Sequence, residues 1–287
     1  MQQTNRSRHR HITSFQVISL GFLSVILLGS LLLMLPIATK SGQCTSFLDA
    51  LFTSTSAVCV TGLVVHDTAT YWSLFGQGVI LLLIQIGGMG IITIAIAIAV
   101  VSGRKIGLMQ RSTMQEAISA PTVGGIVRRT QFIIRTTILV EIIGAALLAP
   151  VFCRDFGFWK GIWYSLFHSI SAFCNAGFDL IGIRTPFSSL TSYSVQPIVN
   201  LVIMALIVAG GIGFLTWEDI KIHKWHFKKY KMQSKVIFMV TGLLIFLPAL
   251  YFFYFEFSNV PLMERVCVSL FQSVTPRTAG FNTADLT

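Results

Sequence analysis

Charge is scarce in this sequence. Asp, Glu, Lys and Arg make up 11% of its 287 residues and hydrophobic residues 54%, whereas soluble domains carry roughly a quarter charged residues. A chain so poor in charge cannot cover a globule of this length with solvated side chains, so it reads as an integral membrane protein. Cysteine is sparse as well. Cys44, Cys59, Cys153, Cys174 and Cys267 show no CxxC or Cys/His spacing, which points away from both a metal site and a disulfide framework. Convergent acid, base or metal ligands at one membrane depth, which an embedded enzyme needs, are lacking too. His66-Asp67 is the one local candidate, and it reads better as part of an outer loop.

What is abundant is apolar sequence in long runs. Residues 15–35, 75–101, 132–152, 197–216 and 236–255 are each long enough to span a bilayer, which takes about 20 predominantly apolar residues. The first run exceeds the roughly 7 to 15 residues of a signal-peptide core, so it is a span despite the basic residues before it. Leu35-Pro36 and Ala149-Pro150 are expected helix stops, because proline cannot continue the hydrogen-bond ladder.

The formal charge of +10 suggests nucleic acid until its distribution is considered. Basic residues gather at Arg6, Arg8 and Arg10, at Arg104, Lys105, Arg111, Arg128, Arg129 and Arg135, and at Lys221, Lys224, Lys228, Lys229, Lys231 and Lys235. If the chain changes sides at each span, 15 of its 21 basic residues share one side. By the positive-inside rule that side, with the N-terminus, is cytoplasmic. The opposite face is slightly acidic and favours cations over anions. No nucleic-acid partner is expected; the bilayer is.

Between spans the chain repeats one phrase. It runs from Leu51-Phe52-Thr53-Ser54-Thr55-Ser56 to Val58-Cys59-Val60-Thr61-Gly62, from Leu166-Phe167-His168-Ser169-Ile170-Ser171 to Phe173-Cys174-Asn175-Ala176-Gly177, and from Leu270-Phe271-Gln272-Ser273-Val274-Thr275 to Arg277-Thr278-Ala279-Gly280. Each copy is too short and too rich in hydroxyls to span, so it is a re-entrant element: a short helix, then carbonyl-bearing backbone that turns at glycine. Rings of backbone carbonyls are how potassium-type filters replace an ion's hydration shell. Cys59 and Cys174 are expected to fill small apolar volume behind the loops. His168 and Gln272 read as polar residues of the short helices. Arg277 reads either as a brace of the third loop or as a fixed charge tuning ion exit. Gln85-Ile-Gly87-Gly88-Met-Gly90 and Val208-Ala-Gly210-Gly211-Ile-Gly213 recur after the first two copies, as close-packing glycines within a span. Glu141 is a charge inside a span and needs a partner or water.

These phrases, with LIQIGGMGI, KIGLMQR, QEAISAPTVGG and AGGIGF, resemble the Trk/Ktr/HKT superfamily of potassium transporters, most closely the membrane subunit of the bacterial Ktr system. The resemblance implies an all-α, potassium-channel-like fold of four helix/pore-loop/helix repeats with pseudo-four-fold symmetry, about two and a half of which fall within these residues. It marks one filter glycine per repeat, matching Gly62, Gly177 and Gly280; with the carbonyl-bearing backbone before each, the ion filter is read at Val58, Cys59, Val60, Thr61 and Gly62, at Phe173, Cys174, Asn175, Ala176 and Gly177, and at Arg277, Thr278, Ala279 and Gly280. K+ is then the substrate, bound only through backbone carbonyls, and Na+ an activator. The implied assembly is a homodimer on a cytosolic nucleotide-binding regulatory ring, in the bacterial plasma membrane. Non-enzymatic potassium uptake is the expected function. The alternatives are a sodium-selective or sodium-coupled carrier and a non-conducting assembly module.

The expected organisation is a basic tail (1–14), repeat one (15–101), a connector (102–131), repeat two (132–217), a basic connector (218–235) that could dock a soluble partner, and the first part of repeat three (236–287). Trp217, Trp225 and Tyr230 are expected as interface anchors. Filter glycines recur after 115 and then 103 residues. That spacing predicts a fourth near position ~390 in a chain of roughly 430 to 450 residues.

Overall fold

A computed structural model describes residues 13–90, 93–94, 115, 126–224 and 226–284. Residues 1–12 of the basic tail, most of the 102–131 connector and Trp225 lie outside them. The described residues form helices and turns; their β-structure is one isolated bridge, Thr39 to Trp72.

Helix α1 (Ser14–Leu33) starts at a capping box in which Thr13 and Gln16 each accept the other's backbone N–H. It is followed by α2 (Phe47–Val58), capped by Ser46, and α3 (Leu74–Met89), capped by Ser73. The second unit repeats the order with α4 (Ile126–Phe156), α5 (Phe158–Phe173) and α6 (Pro197–Gly211), the last carrying proline in its first turn. A short α7 (Phe214–His223) and a 3-10 turn (Phe227–Lys229) lead to α8 (Met232–Tyr251), a π turn (Phe252–Glu256) and α9 (Leu262–Val274).

Among the described residues three helical stretches are long and apolar enough to cross a membrane: Phe15–Leu33, Val127–Phe156 and Met232–Glu256. The run expected at 197–216 is broken instead. Its two helices, α6 and α7, meet at 96°, because Gly213 sits at φ 81°, where a side chain is disfavoured. Gly90 does the same at φ 80° and ends α3 at Met89, well short of the expected end at 101. Pro150 departs in the other direction. It lies inside α4, which continues to Phe156 before Gly157 (φ 81°) turns the chain into α5. Membrane helices tolerate such prolines when neighbours answer the freed carbonyl.

The short helices are fastened to the long ones by the first hydroxyl of the repeated phrase. Ser54 Oγ donates to Ile26 O at 2.8 Å, Ser169 Oγ to Glu141 O at 2.7 Å and Ser273 Oγ to Ile245 O at 2.5 Å. Three residues beyond the first two acceptors stand Gly29 and Gly144, and these allow the approach. A Cβ at Gly29 would come within 2.5 Å of Ser54 Oγ and 2.7 Å of Leu83 Cδ1; at Gly144 it would come within 2.5 Å of Ser169 Oγ and 2.8 Å of Leu206 Cδ1. The corresponding place in α8 is Pro248.

The first two units are also tied to each other. Gln85 Nε2 donates to both carboxylate oxygens of Glu141, at 3.0 and 3.3 Å, which supplies the partner that the intramembrane charge requires. Trp163 Nε1 donates to Gln77 Oε1 at 2.9 Å. On the loop side, buried Asp67 accepts Ala69 N, Thr70 N and Thr70 Oγ1 on one oxygen and Phe187 N on the other, at 3.0 Å.

Gly144→Leu should therefore lower the melting temperature of the detergent-purified protein, by an overpacking cost of about 1–3 kcal/mol. Gly78→Leu, where a Cβ meets nothing within 4 Å, should melt within a degree or two of the parent. Equal melting of the two variants would contradict the packing described.

Candidate functional site

Three short helices, α2, α5 and α9 with its 3-10 extension Thr275–Arg277, end at the loops that finish the repeated phrase. A helix C-terminus carries partial negative charge on its unsatisfied carbonyls. All three loops thus leave from ends that attract cations.

The second hydroxyl of the phrase shapes each loop. Thr61 N, Ala176 N and Ala279 N donate to the carbonyls of Ser56, Ser171 and Thr275, at 2.9, 2.8 and 3.0 Å. In loop one Thr61 Oγ1 also bonds Ser56 Oγ at 2.9 Å. In loops two and three the side chains of Ser171 and Thr275 reach across to Phe178 O (2.7 Å) and Phe281 O (2.5 Å). The backbone follows one pattern. Gly62, Gly177 and Gly280 have φ of 77°, 72° and 76°, and two residues before each stands a non-glycine at positive φ: Val60 (57°), Asn175 (59°) and Thr278 (142°). Extended backbone sends successive carbonyls to opposite sides; left-handed residues at every second position interrupt that alternation.

The loops converge. A Cβ on Gly62 would lie 2.6 Å from Ala176 O and 3.4 Å from Gly177 Cα. One on Gly177 would collide with Ala279 O and come within 3.1 Å of Gly280 Cα. One on Gly280 would lie 3.5 Å from Gly177 Cα and 4.0 Å from Thr61 O. The carbonyls of Thr61, Ala176 and Ala279, each immediately before its glycine, are therefore at the meeting place. Between loops one and three a cavity of 440 Å³ remains, lined by Thr61, Gln272, Thr275, Pro276, Thr278 and Gly280, among others.

Behind the loops the double glycines of α3 and α6 fit against backbone. A Cβ at Gly87 would overlap Val58 O, and one at Gly210 would overlap Phe173 O. Gly88 faces Cys174, whose sulfur lies 2.5 Å from where that Cβ would stand. Cys174 is buried there as expected, whereas Cys59 at the matching place is exposed. Asn175 is buried too, and its Oδ1 has no hydrogen-bond partner among the described residues.

Polar residues of the second and third short helices bond the chain that follows each loop. His168 Nε2 accepts Leu180 N at 3.2 Å, so Nδ1 carries the proton and donates to Tyr164 O at 2.7 Å, leaving the imidazole neutral. Gln272 Nε2 donates to Asn282 Oδ1 at 2.7 Å. Arg277 is tied back to α8 by Nη2 donating to Thr241 Oγ1 at 3.1 Å. In the loop beyond Gly177, burial pushes the Asp179 carboxyl up to about 6; the N–H of Ile181 opposes the shift and the charge of Asp67 adds to it. His66 stacks on Tyr71 and bonds Asp49 at 3.3 Å, in the loop between α2 and α3.

The family described as TrkH, cation transport protein, matches residues 2–287. The chain is 40% identical over 281 residues to the potassium/sodium uptake protein NtpJ of Enterococcus hirae, covering 96% of this chain and 61% of that one. It is 42% identical over 276 residues to the Ktr system potassium uptake protein B of Bacillus subtilis, covering 94% and 60%. The crystal structure of the potassium transporter TrkH from Vibrio parahaemolyticus matches with a TM-score of 0.64 at 22% identity, covering 98% of this chain and 54% of that one. That likeness is one of fold. The chain spans about 60% of the length of the curated relatives it matches. Membrane-spanning apolar helices, three converging glycine loops and a family match along nearly the whole length lead to one conclusion: this chain belongs to the TrkH family of cation transport proteins.

Proposed function

We propose that this chain takes part in potassium uptake across the bacterial plasma membrane, through a filter lined by the carbonyls of Val58 to Thr61, Phe173 to Ala176 and Arg277 to Ala279. The observation that carries this reading is the convergence of Gly62, Gly177 and Gly280 with the carbonyls before them. Such a group can replace a cation's hydration shell without any charged ligand, and the helix ends behind it favour positive ions. Inward movement of one charge down a potential of 100 mV releases about 2.3 kcal/mol, so no chemical fuel is needed.

The arrangement is read as pseudo-four-fold, with about two and a half of its units in these residues. The gap between loops one and three, bordered by Thr61 and Gly280, supports a missing fourth side, and the greater length of the relatives is consistent with it. A sodium-selective or sodium-coupled carrier is the second reading, favoured by the printed name of the Enterococcus relative. A homodimer, stimulation by Na+, a cytoplasmic N-terminus and a cytosolic nucleotide-binding ring complete the proposal.

Selectivity is tested at the glycines. Gly62→Ser and Gly177→Ser force a side chain into a left-handed backbone, at about 1–2 kcal/mol of strain each, and against a neighbouring loop. Uptake of K+ or Rb+ against Na+ in potassium-uptake-deficient cells should show weaker K+ affinity and poorer Na+ rejection at normal expression. Unchanged ion preference in both variants would remove these loops from the filter.

Partner docking is tested at the basic connector. Lys231 lies 3.6 Å from Asp219 and helps to hold the connector itself, so the docking test uses Lys228 and Lys229. Charge reversal of this pair should reduce co-purification of a nucleotide-binding ring severalfold while membrane insertion is kept. Full co-purification at high salt would exclude this connector as the docking surface.

A further inference from the structure

Between the C-terminal end of α7, the turn Phe227–Lys229 and α8, a second cavity opens at the basic edge of the molecule. It measures 390 Å³ and is lined by Ile220, Lys224, Phe227, Tyr230 and Phe238. Drug-sized ligands occupy pockets of roughly 300–1,000 Å³. Its wall is aromatic: the rings of Phe227 and Tyr230 are 5.1 Å apart, and Phe238 lies 6.0 Å from each. Tyr230, expected as an interface anchor, is instead buried, with its hydroxyl on Lys224 O.

Lys224 is the charged member of this lining. It is held at φ 46°, in a region where a side chain persists only if its surroundings impose it. Here they are the Tyr230 hydroxyl on its carbonyl and the Ile220 carbonyl on its N–H, at 2.8 Å.

The nearby charges are unequally matched. Glu218 pairs with Arg129 at 3.2 Å and Asp219 with Lys231 at 3.6 Å, so both acids of this stretch are engaged. Lys221 lies over the Phe132 ring at 4.4 Å, and Lys235 Nζ donates to Lys228 O at 2.9 Å. Lys224, Lys228 and Lys229 are exposed and have no carboxylate partner among the described residues. The cavity also borders α8 through Phe238, near the start of the apolar span Met232–Glu256.

A soluble anion would not need the aromatic wall, and a neutral lipid would not need the lysines. An anionic phospholipid meets both halves, because basic pockets at the edge of membrane helices hold anionic headgroups while apolar wall covers the chain. We propose that this cavity seats an acyl chain of an anionic phospholipid, whose phosphate pairs with Lys224 in the positive field of Lys228 and Lys229.

The test is native mass spectrometry of the purified, delipidated chain, titrated with phosphatidylglycerol or phosphatidylcholine of identical acyl composition. The parent should bind phosphatidylglycerol severalfold more tightly. Lys224→Gln should lose about fivefold of that preference, the contribution expected of one lysine near a headgroup, and Lys224→Arg should keep it. Ile220→Trp, which fills the cavity without altering charge, should weaken binding of both lipids at this site. Lys160→Gln, at the start of α5, should change nothing. Equal binding of the two lipids by the parent, a measurement that needs no variant to fold, overturns the proposal. So does an undiminished preference in Lys224→Gln. Loss of a cytosolic protein partner from that variant, with lipid preference intact, would assign the cavity to a protein interface and likewise overturn it.

Discussion

Backbone that leaves a helix at membrane depth must have its polar groups answered by protein or by the ion path, because lipid offers no hydrogen bonds. Two hydroxyls in each copy of the repeated phrase bear on that constraint. The first, at Ser54, Ser169 and Ser273, fixes the short helix to a carbonyl of the preceding long helix. The second, at Ser56, Ser171 and Thr275, lies where the loop folds back on its own helix. The carbonyls of Thr61, Ala176 and Ala279 then stand at the point where the loops converge.

Close approach is the complementary requirement, and glycine meets it at two depths. Gly29 and Gly144 let the short helices press against α1 and α4, while Gly87 and Gly210 let α3 and α6 press against the ends of those short helices. With both sides of the first two loops packed at backbone distance, their position depends on the long helices more than on side-chain adjustment. Glu141 fits this scheme in two ways: its carbonyl receives Ser169, and its carboxylate receives Gln85 from the other unit. A single residue of α4 thus links one short helix to both units.

The loops and their glycines were legible in sequence because the phrase recurs at nearly constant spacing and because hydroxyls within apolar surroundings stand out. The roles of those hydroxyls were not, since their acceptors are backbone carbonyls of Ile26, Glu141 and Ile245, which no side-chain pattern marks; the common 115-residue offset of Gly29 to Gly144 and Ser54 to Ser169 was the available signal. Span ends were misread where hydropathy and backbone disagree. Apolar sequence continues past Gly90 and Gly213, so composition alone joins what a left-handed glycine separates. Pro150 reads as a stop in sequence because proline usually ends helices, yet Gly157 is the residue that turns the chain. Cys59 and Cys174 hold the same place in the phrase and differ in burial, because Gly88 offers Cys174 a seat.

The elbow between α6 and α7 has a mechanical meaning. Upstream of Gly213, α6 is wedged against the second loop through Gly210; downstream, α7 is anchored to the N-terminus of α8 by Asp219, which accepts Ser234 Oγ at 2.6 Å and Lys231 N at 3.1 Å. The indole of Trp217 reaches back over the bend to Ala209 O at 3.0 Å. Torque applied to α7 therefore meets the bend at Gly213 before it meets the second loop, and the indole acts as a stay across that bend. A movement large enough to release that stay would load α6 and, through Gly210, the carbonyl of Phe173 directly.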